Sequence, residues 1–128
     1  MQRLALVVAA VAGLASALPA AAQFQKPEDA VKYRKAGFTL MAAHFGRLGA
    51  MAQGRAPFDA ASATANAEIV ASLSKLPFAG FVEGTSGTEK GQPKPNVWSD
   101  RAKFDEGARK MQEEVAKLAA AAKAGPDA

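Results

Sequence analysis

From Pro27 onward the chain places Val31, Arg34, Phe38, Met41, Phe45 and Leu48 at alternating steps of three and four. That spacing sets them on one face and predicts a first helix from Pro27 to about Gly49. Lys26-Pro27-Glu28-Asp29 suits a helix start, because proline at the first position loses no hydrogen bond and the acids favour the positive end of the dipole. Gly37 and Gly46 fall inside this helix, each at a cost of about 1 kcal/mol relative to alanine. Either a neighbour comes close to the backbone there, or the helix is weakened. Gly54 to Pro57 makes a break. A second helix is then expected from Phe58 or Asp59 to Leu76, with Ile69, Val70, Leu73 and Leu76 as its apolar edge and Pro77 ending it. Residues 82–97 hold Gly84, Gly87, Gly91, Pro93 and Pro95, an irregular connection of a length that is often functional. After Trp98, with Ser99 or Asp100 as cap, Phe104, Ala108, Met111, Val115, Leu118 and Ala122 predict a third helix, stopped by Gly125. Pro126-Asp127 then reads as another helix start.

No segment alternates as a strand does. The expected fold is all-α, an antiparallel helical bundle with three helices in this chain. The stripes on the first and third helices are wide enough to need partners on more than one side, although three helices can also close a small bundle.

The N-terminal residues differ in kind. Met1-Gln2-Arg3 is a short basic start, Leu4 to Leu18 is apolar or small throughout, Pro19 breaks the run, and Ala20-Ala21-Ala22 offers a small-residue cleavage site. Residues 1–22 are therefore expected to be a secretory signal peptide, too short for a comfortable membrane span. The mature chain is expected to begin at Gln23, giving one domain over 23–128, in the periplasm and free of the membrane after cleavage.

Charge and composition narrow the function classes. The 128 residues carry a formal net charge of +4, and charges of both signs are mixed along the chain. Without a basic stripe interleaved with aromatics, nucleic-acid binding has no support. There is no cysteine, so disulfides and thiolate metal sites are excluded. The single histidine, His44, lies about 60° around the helix from Met41, at the margin of the apolar face. With no nucleophile–base pair and no paired carboxylates in an apolar stretch, no catalytic set emerges and an enzyme is not expected. Arg34 interrupts the apolar face of the first helix. Its stem could pack while its head reaches water, or it could meet an anion such as a carboxylate or propionate beside an aromatic pocket.

Gln23 to Arg34, then Thr39-Leu40-Met41 and His44-Phe45-Gly46-Arg47, resemble the first helix of the cytochrome c′ family. Leu76-Pro77-Phe78-Ala79-Gly80-Phe81 resembles the end of its second helix, and Lys94-Pro95-Asn96-Val97-Trp98-Ser99-Asp100 the start of its third. The resemblance implies an antiparallel four-helix bundle, usually a homodimer, holding a c-type haem. That haem is attached through C-x-x-C-H on a fourth helix, and this sequence departs from the family there, having no cysteine. The expectation is therefore a truncated form of a family member, or a member without haem. Carried over residue by residue, Arg34 matches an arginine that pairs with a haem propionate and Lys35 a neighbouring haem-edge position. Phe38 matches the residue packed over the open iron face, Phe81 an aromatic of the pocket wall, and Lys94 a second propionate cation. The axial histidine and attachment cysteines have no counterpart. The implied function is electron transfer, or binding of a small gas such as nitric oxide at five-coordinate iron. A cofactor-free helical protein acting through its apolar face is the alternative.

Overall fold

The computed structural model describes residues 23–87, 92–125 and 127, so the expected signal peptide lies outside the described residues. Among the described residues four α-helices follow one another: α1 (Pro27–Ala52), α2 (Ala60–Leu73), α3 (Asn96–Ser99) and α4 (Arg101–Ala124), with a 3-10 turn at Pro77–Gly80 between α2 and α3. No strand occurs among the described residues. The architecture is a helical bundle, as the hydrophobic periodicity predicts.

The boundaries differ from expectation where proline and loop contacts intervene. α1 runs three residues past Gly49, and its last carbonyls accept from the N–H groups of Gln53, Gly54 and Arg55, with Gly54 turning the chain at φ +69°. α2 begins at Ala60, just past the expected Phe58 or Asp59, because the Asp59 carboxylate accepts from the Ser62 N–H at 2.6 Å and so acts as its N-cap. It ends at Leu73 rather than Leu76. Leu76 keeps helical angles (φ −89°, ψ −49°) and its N–H bonds the Leu73 carbonyl, but Pro77 has no N–H to carry the helix on, so a separate tight turn forms. The third long helix is split as well. Trp98 sits inside the short α3, Asp100 takes ψ 55°, and α4 starts at Arg101 with no side-chain bond from Asp100. Gly125 is the stop expected of it, at φ +110° with its N–H on the Ala121 carbonyl.

α2 lies in the middle. It packs against α1 on one side and α4 on the other, whereas α1 and α4 touch each other only slightly. Its buried residues are small or medium (Ala63, Asn66, Ala67, Val70), which lets both neighbours approach closely. Of the expected apolar edge only Val70 is buried; Ile69 and Leu76 are exposed. The core is correspondingly thin: Ala30, Ala63, Ala67, Val70, Phe81 and Val115.

Two glycines let the 3-10 turn lie flat on α1. A Cβ at Gly37 would stand 2.7 Å from Pro77 Cγ, and one at Gly80 would stand 2.6 Å from the Ala30 carbonyl oxygen. Gly37 is thus the close approach that its position in a helix suggests. Gly46 is not, since nothing lies within 4 Å of its missing side chain.

Candidate functional site

The turn and the loop after it bring five aromatics together. Phe81 is central: its ring centroid is 4.8 Å from Phe104, 6.1 Å from Phe38, 6.1 Å from Phe78 and 6.4 Å from Trp98. Tilted, edge-on and stacked contacts of this kind add to the area that each ring buries. Phe38 comes from α1, Phe104 from α4, and Trp98 from α3, whose indole N–H donates to the Val82 carbonyl at 3.2 Å. The Phe81 carbonyl is held from α4 by Arg101 Nη1 at 2.6 Å.

Arg34 holds Phe81 from the other side. Its guanidinium lies 4.7 Å from the Phe81 ring centroid. Nη1 donates to the Gly80 carbonyl (3.1 Å) and to Thr85 Oγ1 (2.7 Å), and Nη2 donates to the Thr85 carbonyl (2.7 Å). Thr85 Oγ1 in turn donates to the Val82 carbonyl at 2.6 Å. At 2% exposure the head of Arg34 does not reach water, so packing with a solvated head does not describe it. Burial lowers its pKa from the ordinary arginine value. The fork is directed at loop oxygens, and it fastens the 80–85 segment to α1.

Beside this clamp is a cavity of about 320 Å³ lined by Arg34, Lys35, Phe38, Phe81, Gln92, Pro93, Val97 and Phe104. It unites four of the five expected site residues. Lys94 is the exception: it is exposed and does not line the cavity, although its neighbours Gln92 and Pro93 do. Phe38 also forms the end of a second, larger space. A groove of about 590 Å³ runs between α1 and α4, walled by Phe38, Met41, Phe45, Met111, Val115 and Leu118 and floored by Val70. It continues past Phe45 and Leu118 into a further 430 Å³ reaching Leu48, Met51 and Ala121.

Thr85, Gly80 and Arg101 were not singled out by sequence reasoning. Threonine and glycine in a Gly-rich loop look like any loop residues until a buried cation is found among their oxygens. His44 stands apart from cavity and groove, on the α2 side, with Nδ1 2.8 Å from Asn66 Oδ1. No group of three potential metal-ligating side chains occurs among the described residues.

These residues fit one part of a haem site. The aromatic wall suits one face and edge of a flat apolar ring, and Lys35 at the rim suits its acidic groups. An iron ligand and an attachment thiol are not among them, because His44 faces elsewhere and the chain has no cysteine.

Comparison with known proteins agrees with the fold. Residues 29–128 match the family model described as cytochrome c′. Cytochrome c′ of Rubrivivax gelatinosus is 53% identical over 103 residues, covering 80% of this chain and 80% of the relative. Among solved structures, cytochrome c prime from Shewanella frigidimarina superposes with a TM-score of 0.77 at 41% identity, covering 81% of this chain and 80% of that one. The nitrosyl complex of a variant of cytochrome c prime from Alcaligenes xylosoxidans gives 0.72 at 50% identity, covering 79% and 78%. With a family model across most of its length, a relative at 53% identity and the bundle in common, this chain belongs to the cytochrome c′ family of haem-binding c-type cytochromes.

Proposed function

We propose that this chain forms the distal wall and edge of a class II c-type cytochrome pocket in the periplasm, serving electron transfer or the binding of a small gas such as nitric oxide. The observation that carries the reading is the placement of Phe38, between the cavity lined by Arg34, Lys35 and Phe81 and the apolar groove beyond it. Haem, when bound, supplies the iron that carries the electron or the gas. The chain's own residues do the rest. Phe38 has no lone pair to offer a metal, and its ring, edge-on to Phe78 at 5.8 Å, narrows the space so that only small ligands pass. The Arg34 clamp keeps Phe81 and the 80–85 segment in place as the opposite wall. Lys35 supplies positive charge at the rim. A nitrosyl complex of the Alcaligenes xylosoxidans relative supports the gas-binding branch of the proposal.

The test uses the chain extended by a family-type C-x-x-C-H helix, with and without Phe38→Met. A high-spin, five-coordinate optical spectrum in the parent and a low-spin spectrum in the variant are expected. A low-spin, six-coordinate parent would remove Phe38 from the distal position. The second reading, a cofactor-free interaction protein, is favoured by the open groove and by Phe45 standing 55% exposed beside it. Absence of a Soret band from the exported chain selects that reading. Periplasmic location rests on residues 1–22, and an intact mass that begins at Gln23 is the expected result.

A further inference from the structure

We propose that Thr85 is a positioning residue of the pocket: its hydroxyl fixes where the Arg34 guanidinium lies, and through it where the Phe81 ring stands across from Phe38. Thr85 does not itself line the cavity, so this role, which rests on reading the cavity as a haem pocket, is exercised at one remove.

Phe81 takes its place from its surroundings. It leaves the 3-10 turn at φ −93° and ψ 53°, and its N–H reaches the Phe78 carbonyl at 3.2 Å. Past that point the chain is irregular, so side chains settle the ring. Arg101 holds the Phe81 carbonyl from α4, and the Arg34 guanidinium lies over the ring. Phe38 and Phe81 both line the cavity with centroids 6.1 Å apart, so a shift of the Phe81 ring changes the width that a ligand meets.

The head of Arg34 is in turn placed by Thr85. The Thr85 carbonyl takes Nη2 and the Thr85 hydroxyl takes Nη1, so one residue grips both terminal nitrogens and keeps the fork from turning about Nε–Cζ. The hydroxyl can do this because it has somewhere to send its own proton. It accepts from Arg34 at 2.7 Å and donates to the Val82 carbonyl at 2.6 Å, and an atom set between a donor and an acceptor must do both. Among side chains of this size a serine or threonine hydroxyl meets that demand; valine, of the same shape, meets neither half. The Val82 carbonyl has a second donor, Trp98 Nε1 of α3, at the longer distance of 3.2 Å. Thr85 is thus the node that joins α1 to the loop and, through a shared carbonyl, to α3. Arg34 and Thr85 are both buried, so no solvent shell stands ready to replace a lost bond.

The test compares the full chain, without haem, with Thr85→Val and Thr85→Ser by NMR. In the parent the two Nη groups of Arg34 are expected to give separate nitrogen-15 signals, because the rotation that exchanges them is blocked. A cross-peak between the Phe38 and Phe81 rings is expected as well. Thr85→Val is expected to merge the guanidinium signals and remove that cross-peak. It should also move the Trp98 indole proton downfield, as that nitrogen comes to hold the Val82 carbonyl alone. Thr85→Ser is expected to restore all three. The contact between Phe38 and Phe78, which depends on Pro77 lying against Gly37, should persist in every variant. Separate Nη signals or an intact Phe38–Phe81 cross-peak in Thr85→Val would overturn the inference, as would failure of serine to restore them. Loss of the Phe38–Phe78 contact as well would also overturn it, because Thr85 would then hold up the fold at large rather than place one ring. None of these signals requires haem, so a missing Soret band bears on the pocket reading and not on the role of Thr85.

Discussion

The same substitution, glycine to alanine, is expected to have opposite effects at two places nine residues apart on α1. At Gly46 the new methyl meets nothing within 4 Å, so only the helix propensity gain of about 1 kcal/mol remains. At Gly37 the same gain is opposed by a contact. The Cβ would stand 2.7 Å from Pro77 Cγ, with Cβ and Cδ of the same ring at 3.3 and 3.4 Å. Carbon atoms rest at about 3.5–4.0 Å, so the ring must retreat by close to an ångström. Pro77 is among the fully buried residues, and its closed ring has no rotamer by which to swing away. Relief must come from moving the 3-10 turn off α1, and with it Gly80, whose own Cβ position is already filled by Ala30 and Arg34. Overpacking of this kind costs about 1–3 kcal/mol, which leaves Gly37→Ala neutral to about 2 kcal/mol destabilised. At about 4–8 °C per kcal/mol for a domain of this size, thermal melts at 222 nm separate the two variants. Gly46→Ala should melt several degrees above the parent and Gly37→Ala at or below it. Equal stabilisation by both would refute the argument that Gly37 exists to admit Pro77.

Arg34→Lys keeps the charge but loses the fork, leaving acceptors among Gly80 O, Thr85 O and Thr85 Oγ1 unmatched in a buried place. A loss of about 1–3 kcal/mol in urea unfolding is expected, and an unchanged midpoint would mean that the loop does not depend on the clamp. Asn66 Nδ2 donates to the Ser62 carbonyl at 2.8 Å, which turns Oδ1 toward His44 and requires His44 Nδ1 to carry a proton. Nitrogen-15 chemical shifts of neutral His44 should therefore report the Nδ1–H tautomer; the other tautomer would show that the Asn66 amide is oriented the opposite way.

Much of the fold is legible in the pattern of residues. A stripe at steps of three and four leaves little freedom in where α1 and α4 lie, and Gly125 announces its own stop. The position of α2 in the middle is harder to see, because its interface is made of alanines that read equally well as surface. Its end is hidden for a related reason: Leu76 continues the apolar spacing, but Pro77 lacks the N–H that would carry the helix past Leu73. Arg34 shows the limit most clearly. A lone arginine on an apolar stripe says that something polar must meet it. The partner turned out to be carbonyls some 46 to 51 residues away, one in the 3-10 turn and one in the irregular connection after it, neither marked in the sequence as an acceptor. The aromatic wall was half visible: Phe38 and Phe81 came with the family resemblance, while Phe104 and Phe78 join them only once α4 and the turn are folded.

Because α1 and α4 each rest on α2 and scarcely on one another, the molecule has two separate seams rather than one closed core. The α1 seam is reinforced by the Arg34 clamp and by Gly37 and Gly80 pressed against their neighbours. The α4 seam has weaker ties, such as Thr64 Oγ1 to the Ala122 carbonyl at 3.3 Å and Gln112 Nε2 to the Ser74 carbonyl at 3.2 Å. Opening should therefore begin at α4, with its amides exchanging before those of α1 and those of α2 last, an order that hydrogen-exchange mass spectrometry reads directly. Exchange of α1 first would contradict it. In such a molecule the excursion that widens the groove is also the first step of unfolding, so a ligand that fills the groove slows the loss of the whole structure.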